Sequence, residues 1–311
     1  MTDRYDAHAL LDLLGALDAT DYRFVAPTPA THARIMARSA VGYDLRDLLG
    51  WSRTVPPGDL PAAVRDILQR TGAITETAQG WRSSIRVSRL RGRLFLHSAY
   101  PTSDGDAVFF GPDSYRFADF IVEELARDSL CRTVIDVGTG SGVGLTVAAS
   151  LALPARLVMT DINGAALELA RVNARYANLE VEALEGDALA GFKAPIDLAL
   201  ANPPFIIDEA KRAYRHGGDR LGSQLSLDMA AAIAARLAPG GRLLLYTGTA
   251  IVGGIDGFRA DLAEAMAAAG CTLRYRELDP DIFGEELDRP VYARAGVERI
   301  AAVGAIATRP G

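Results

Sequence analysis

Apolar residues recur at helical spacing over residues 6–17 (DAHALLDLLGAL), which predicts an amphipathic helix. Thr28-Pro29 opens a second helix, with proline where no N–H donor is needed. Asp59-Leu60-Pro61 repeats that start signal before AVRDILQR. From Trp81 to Leu90 the pattern becomes strand-like, with Ile85 and Val87 flanked by arginines. The turn Arg91-Gly92 then leads into a second strand, Leu94-Phe95-Leu96. Helices followed by a β-hairpin predict a winged-helix-like N-terminal unit.

Residues 100–113 (YPTSDGDAVFFGPD) are rich in turn formers and read as a linker. A helix follows, capped by Asp113 or Ser114, with Phe117, Phe120, Ile121 and Leu125 on one face. Thereafter strands and helices alternate. Strands are expected at 133–137, 156–160, 179–184, 196–201 and 242–247, and helices at 164–177 and 224–238. Such alternation predicts an α/β doubly wound parallel sheet. Leu273–Leu278 should run parallel to the others and end on the catalytic edge, and Val297–Ala307 closes the sheet as an antiparallel hairpin strand. The expected organisation is an accessory, substrate-recognition unit over 1–105 and a catalytic domain over 106–311.

Composition narrows the classes. The chain has 311 residues, 49% hydrophobic and 23% charged, enough apolar material for a core and too much for a disordered chain. No apolar run reaches ~18 residues, so no membrane span is expected. The acidic start (Asp3, Asp6, Asp12) lacks a signal-peptide layout, and a cytoplasmic protein is expected. Two cysteines, Cys131 and Cys271, supply neither a disulfide framework nor a zinc site; both read as buried, reduced thiols, and no metal is expected. Net charge is −6, which sets the global field against nucleic acid. Lys193 and Lys211 are the only lysines and the other 31 basic residues are arginine, a bias that points to genome composition.

The strand at 133–137 runs into Asp136-Val137-Gly138-Thr139-Gly140-Ser141-Gly142-Val143-Gly144. Gly138, Gly140 and Gly142 let the backbone turn sharply and approach a ligand, with Thr139 between them. The carboxyl end of a strand in an open α/β sheet is where ligands sit. Asp136, placed before the glycines, would repel a pyrophosphate and suits a cationic amino group. Twenty-five residues on, Asp161 ends a strand, followed by Ile162. Its carboxylate can accept both hydroxyls of a ribose, or cap the next helix. After the third strand, Asp187-Ala188 stands where the acid can accept an adenine amino group.

The fourth strand runs into Asn202-Pro203-Pro204-Phe205. Two prolines fix φ and remove two backbone donors. The Asn202 side-chain oxygen and the Pro203 carbonyl remain as paired acceptors, which match the two hydrogens of a planar –NH2 group. Phe205 offers an apolar face for an amide or base plane. A rigid exit turn ending in a core phenylalanine is the alternative reading.

Together, DVGTGSG, the strand-end acid, GD and NPPF resemble class I S-adenosylmethionine-dependent N-methyltransferases with the NPPF motif. They are similar in particular to the release-factor glutamine methyltransferase group, with nucleic-acid amino-methyltransferases as relatives. The resemblance covers roughly residues 108–308. It implies a Rossmann-like seven-stranded sheet, S-adenosylmethionine as cofactor and S-adenosylhomocysteine as product. It also implies cofactor contacts from Phe110, Pro112 and Tyr115, whose segment FGPDSYR stands where that group carries PRPETE. His216–Gly222 (HGGDRLG) loosely resembles the group's GG-x-DGL segment.

The implied reaction is methyl transfer to a planar nitrogen, most simply a protein glutamine amide. A small-molecule acceptor, an exocyclic amine of nucleic acid and a non-catalytic cofactor-binding subunit are alternatives. Arg82, Arg86, Arg89, Arg91 and Arg93 form a basic run able to grip phosphates. Against it, Glu277, Asp279, Asp281, Glu285, Glu286 and Asp288 gather in the loop expected at the catalytic mouth, with Arg289 only beyond them. These acids favour a protein or small-molecule acceptor. His216, near the NPPF turn, reads first as a loop residue and second as a proton acceptor. Oligomeric state leaves no trace in the sequence.

Overall fold

The computed structural model describes residues 4–38, 42–102, 104–125, 132–152, 155–189, 191–208, 212 and 214–311; Cys131 and Lys211 lie outside them. The first apolar pattern forms α1 (Ala7–Ala19), whose cap is the Asp6 carboxylate accepting from the Ala9 N–H at 2.9 Å. Thr28 caps α2 (Pro29–Met36). A short helix that hydrophobic periodicity is too coarse to detect, α3 (Leu45–Leu49), is held by a capping box of Asp44 and Asp47. α4 (Ala62–Arg70) completes the helices.

The stretch expected as one strand from Trp81 is broken at Ser84. β1 (Ile74–Thr77) pairs with β2 (Gly80–Ser83), while β3 (Ile85–Leu90) pairs with β4 (Arg93–Ser98). The two hairpins are separate two-stranded sheets, in place of the single wing expected. At the break Ser84 serves both hairpins: its N–H donates to the Ala73 carbonyl at 2.8 Å, one pair beyond the β1–β2 register, and its carbonyl accepts from the Ala99 N–H at 3.0 Å. The basic run is also divided. Arg86 is buried and donates to the Gly50 carbonyl at 2.7 Å; Arg89 bonds the Tyr22 and Gly92 carbonyls and Asp18. Those two arginines tie the hairpin to the helices, which removes them from any phosphate-binding surface.

α5 (Pro112–Leu125) starts one residue ahead of the expected caps, with proline in its first turn, and buries Phe117, Phe120, Ile121 and Leu125. Then come β5 (Thr133–Val137), α6 (Val143–Leu151), β6 (Arg156–Asp161), α7 (Gly164–Tyr176), β7 (Glu182–Glu185) and β8 (Ile196–Ala201). They are followed by α8 (Gln224–Ala234), β9 (Leu237–Val252), β10 (Ile255–Asp256), α9 (Gly257–Ala268), β11 (Thr272–Asp279), α10 (Pro290–Arg294) and β12 (Val297–Thr308).

The main sheet has strand order β11-β12-β9-β8-β5-β6-β7, with β10 paired to the far end of β9. Neighbours from β9 to β7 are parallel, and β12 is antiparallel to both its neighbours. β11 therefore points with the parallel strands, as expected. Apolar residues occupy both faces of the central strands, as a sheet covered on two sides requires. One core continues from the sheet face under α5, α6 and α7 into Leu10, Leu14, Leu49 and Leu68 of the N-terminal helices.

Candidate functional site

The sharp turns after β5, β6 and β8 open at one edge of the sheet and enclose a cavity of about 160 Å³. Gly138 and Gly140 line it with φ of 68° and 55°. A Cβ on Gly140 would meet nothing within 4 Å, and one on Gly138 only the Met229 terminal methyl at 3.9 Å. The turn is thus a concave backbone cradle. Thr139 lines the cavity too, whereas Gly142 turns away: it enters α6 at φ 78°, where a Cβ would sit 3.4 Å from Ala170.

Asp136 faces the cavity from the end of β5. Its Oδ2 accepts from the Thr139 hydroxyl at 2.8 Å and the Leu145 N–H at 3.0 Å. Complete burial outweighs both bonds and pushes its pKa up to about 7, with the Asp161 charge adding to the rise. No side-chain cation pairs with it among the described residues. Gly144 makes room for it, since a Cβ there would lie 2.9 Å from Asp136 Oδ2 and 2.8 Å from Phe117 Cε1.

Asp161 stands across the cradle. Its two oxygens accept from the Gly140 and Asn163 N–H groups, each at 2.9 Å. Burial raises its pKa against those bonds. The cap of α7 falls not to Asp161 but to Asn163, which accepts from Ala165. Exposed Ile162, exposed Asp187 and Ala188 complete that wall. Ala188 sits at φ 43°, and its carbonyl accepts from the Thr160 hydroxyl at 2.6 Å.

Asn202 and Pro204 reach the cavity, and the Asn202 side chain makes no hydrogen bond among the described residues. Pro203 and Phe205 pack behind them. The Phe205 ring lies against Gly248, where a Cβ would come within 2.3 Å of it, and meets Phe283 edge-on at 5.6 Å. HGGDRLG packs beneath the same turn: a Cβ on Gly217 would lie 1.9 Å from the Gly222 carbonyl, and one on Gly222 2.2 Å from the Phe205 carbonyl. His216 is spent structurally, its Nδ1 accepting from the Asp208 N–H at 3.1 Å.

The segment before α5 departs from expectation. Phe110 stacks on His97 at 4.7 Å, and the Tyr115 hydroxyl accepts from the Ala26 N–H; both face the N-terminal helices and hairpins. Phe110, Pro112 and Tyr115 do not line the cavity, which takes Phe109, Ser114 and Phe117 instead. Motif position left open whether Phe109 or Phe110 points inward before α5, and which face of the first turns of α5 meets the cavity. Tyr214, fixed by its hydroxyl to the Thr102 carbonyl, was also missed; its only sequence signal is its place after the NPPF turn.

The acidic run expected at the mouth contributes no residue to the cavity lining and is less negative than the sequence implied. Glu277 pairs with Arg299, Asp279 with Arg116, and buried Glu286 with Arg215 and Arg289. Asp281, Glu285 and Asp288 remain exposed.

The site thus joins a backbone cradle, a buried carboxylate without a counter-cation, a strand-end carboxylate and an unspent amide. That donor set fits a nucleoside bearing a cationic amino group. No group of three or more potential metal ligands occurs among the described residues. No helix among them is long and apolar enough to cross a membrane.

Comparison with known proteins gives the same direction. Residues 116–250 match the methyltransferase small domain family. A release factor glutamine methyltransferase of Deinococcus radiodurans is 32% identical over 291 residues, 89% of this chain and 96% of that protein. A ribosomal RNA large subunit methyltransferase G of Vibrio vulnificus is 34% identical, over 36% of this chain and 34% of its own. Among solved structures, a ribosomal protein L11 methylase of Lactobacillus delbrueckii aligns with TM-score 0.43 and 16% identity, over 63% of this chain and 80% of its own.

Proposed function

The chain belongs to the release factor glutamine methyltransferase family of S-adenosylmethionine-dependent enzymes, and from that premise we propose that its acceptor is the side-chain amide of a release-factor glutamine. The observation that carries the proposal is the unspent Asn202 amide at the cavity wall, followed directly by the two prolines that stiffen its turn. S-adenosylmethionine supplies an electrophilic methyl group on a sulfonium sulfur.

In this reading Asp136 receives the cofactor's amino group, Asp161 its ribose hydroxyls and Asp187 its adenine, with Ile162 against the ring. An amide nitrogen is a poor nucleophile because its lone pair is delocalised. Asn202 Oδ1 and the Pro203 carbonyl accept the two amide hydrogens and aim the nitrogen at the methyl. They also stabilise the positive charge that grows on it. Holding the pair in line supplies much of the rate, since oriented reactants reach effective molarities of ~10⁵ M or more. With the nitrogen–methyl bond formed and the sulfur–methyl bond broken, the amide becomes –NHCH3, S-adenosylhomocysteine is the leaving group, and one proton passes to water. Buried Phe205 stiffens the turn more than it stacks on the acceptor.

The exposed acids Asp281, Glu285 and Asp288, carried by the segment whose Phe283 meets Phe205, favour a protein over a polyanion. The setting we propose is the cytoplasm, where Cys271 stays a free, buried thiol. Incubation with methyl-labelled S-adenosylmethionine, a bacterial release factor and ribosomal RNA tests the acceptor. Label is expected in the protein; label confined to RNA would overturn the assignment.

A further inference from the structure

Phe205 is the aromatic expected to face the acceptor, yet it does not line the cavity. It is buried, with its ring against Gly248 and edge-on to Phe283 at 5.6 Å. A planar group held by Asn202 therefore needs another surface to lie on. Three aromatic side chains among the described residues line the cavity: Phe109, Phe117 and Tyr214. Phe117 stands beside Asp136, both of them crowding the Gly144 position. Phe109 follows Asp106, whose carbonyl accepts from Asn163 next to Asp161. Of the three, only Tyr214 belongs to the segment that leaves the NPPF turn.

That segment is folded back on the turn. A parallel bridge pairs Ile206 with His216, and the Gly217 N–H donates to the Ile206 carbonyl at 2.9 Å. Tyr214, half-buried, stands two residues before this return. Its hydroxyl donates to the Thr102 carbonyl and accepts from Arg212 Nη1 at 3.1 Å. The Arg212 guanidinium lies 5.6 Å from the ring centroid and is itself gripped by buried Asp208, at 2.6 Å and 2.9 Å. The hydroxyl is thus committed twice, so what Tyr214 can still offer a ligand is its ring.

We propose that Tyr214 is an acceptor-binding residue, its ring the surface on which the planar –NH2-bearing group lies while Asn202 holds the hydrogens; the proposal rests on the reading of Asn202 above. The nitrogen lone pair stands perpendicular to the plane of an amide, so the methyl must arrive through one face. An aromatic ring can then close the other, since flat π systems pack well on one another. A closed rear face keeps the plane from turning about its side-chain bond and holds the nitrogen in line with the methyl. With its hydroxyl spent on Thr102 and Arg212, Tyr214 takes no part in proton transfer.

The test sets Tyr214→Ala and Tyr214→Phe beside wild type, with methyl-labelled S-adenosylmethionine and a bacterial release factor, and with ribosomal RNA in parallel. Tyr214→Ala should raise the acceptor KM about tenfold, with kcat within about threefold. Tyr214→Phe keeps the ring and should bring that KM back to within about threefold of wild type. Calorimetry should give both variants the wild-type cofactor affinity, which also shows that they fold. An unchanged acceptor KM in Tyr214→Ala overturns the proposal. So do equal losses in the two variants, which would give the effect to the hydroxyl, and a matching loss of cofactor affinity, which would place the ring on the cofactor. Label confined to RNA would overturn the amide reading by itself; the KM of Tyr214→Ala against wild type, measured on that RNA, would still decide the role of Tyr214.

Discussion

Asp136 couples the site to pH. In the folded chain its carboxyl titrates near about 7, against ~3.9 when unfolded. Its folded pKa is raised, so the unfolded chain releases that proton first. Ligand-free stability should therefore fall as pH climbs from about 4 to 7. Binding of the cationic amino group needs the ionised form, so cofactor affinity should rise over the same climb, by up to about tenfold per pH unit. Calorimetry from acid to neutral pH checks this: Asp136→Asn should flatten the profile and bind weakly throughout, and a flat wild-type profile would exclude Asp136 from the contact. Asp161→Ala removes charge-assisted bonds worth ~1.5–3 kcal/mol and should weaken cofactor binding about 10- to 100-fold. Asn202→Ala should leave that affinity intact and lower kcat by about 100-fold, as loss of a group that stabilises developing charge does. Stopped-flow turnover near wild type would remove Asn202 from the chemistry.

At the scale of elements, hydrophobic pattern located the strands of the parallel sheet within a few residues, because buried strands are continuous apolar runs. β9 runs from Leu237 to Val252, well beyond the expected 242–247, because past Leu245 it pairs with β12 and β10 alone and carries glycine and threonine there. Asp136, Asp161 and the NPPF turn were legible since each follows directly from a strand end. Phe109, Ser114, Phe117 and Tyr214 were not, because which side of a connecting segment or of the first turns of α5 faces the cavity is set by packing. The arginines divided likewise: Arg86 and Arg93 are alike in sequence, yet one is buried against Gly50 and the other exposed. Gly144 shows how tightly α6 meets β5. Gly144→Ala would press a methyl between Asp136 and Phe117, an overpacking that typically costs ~1–3 kcal/mol. Urea unfolding should show the loss, and an unchanged midpoint would mean that the helix shifts freely.

For the whole molecule, the N-terminal elements are bolted to the catalytic sheet rather than loosely linked. Asn173 of α7, buried, accepts from the Leu96 N–H at 2.8 Å and donates to the Leu96 and Ser141 carbonyls at 2.9 Å each. One amide thus joins hairpin β3–β4 to the glycine turn after β5. Asn173→Ala strands buried polar groups and should cost about 2–4 kcal/mol of stability. Denaturation should lose both halves in one transition, consistent with their shared core; two separated transitions would instead mark independent units.

Peptide-level mass spectrometry of a release factor after turnover addresses the reaction itself. Fragment ions should carry one added methyl on the side-chain nitrogen of a single glutamine, present with wild type and nearly gone with Asn202→Ala. A methyl found on another residue type, or equal yields from the two enzymes, would contradict the amide-gripping account.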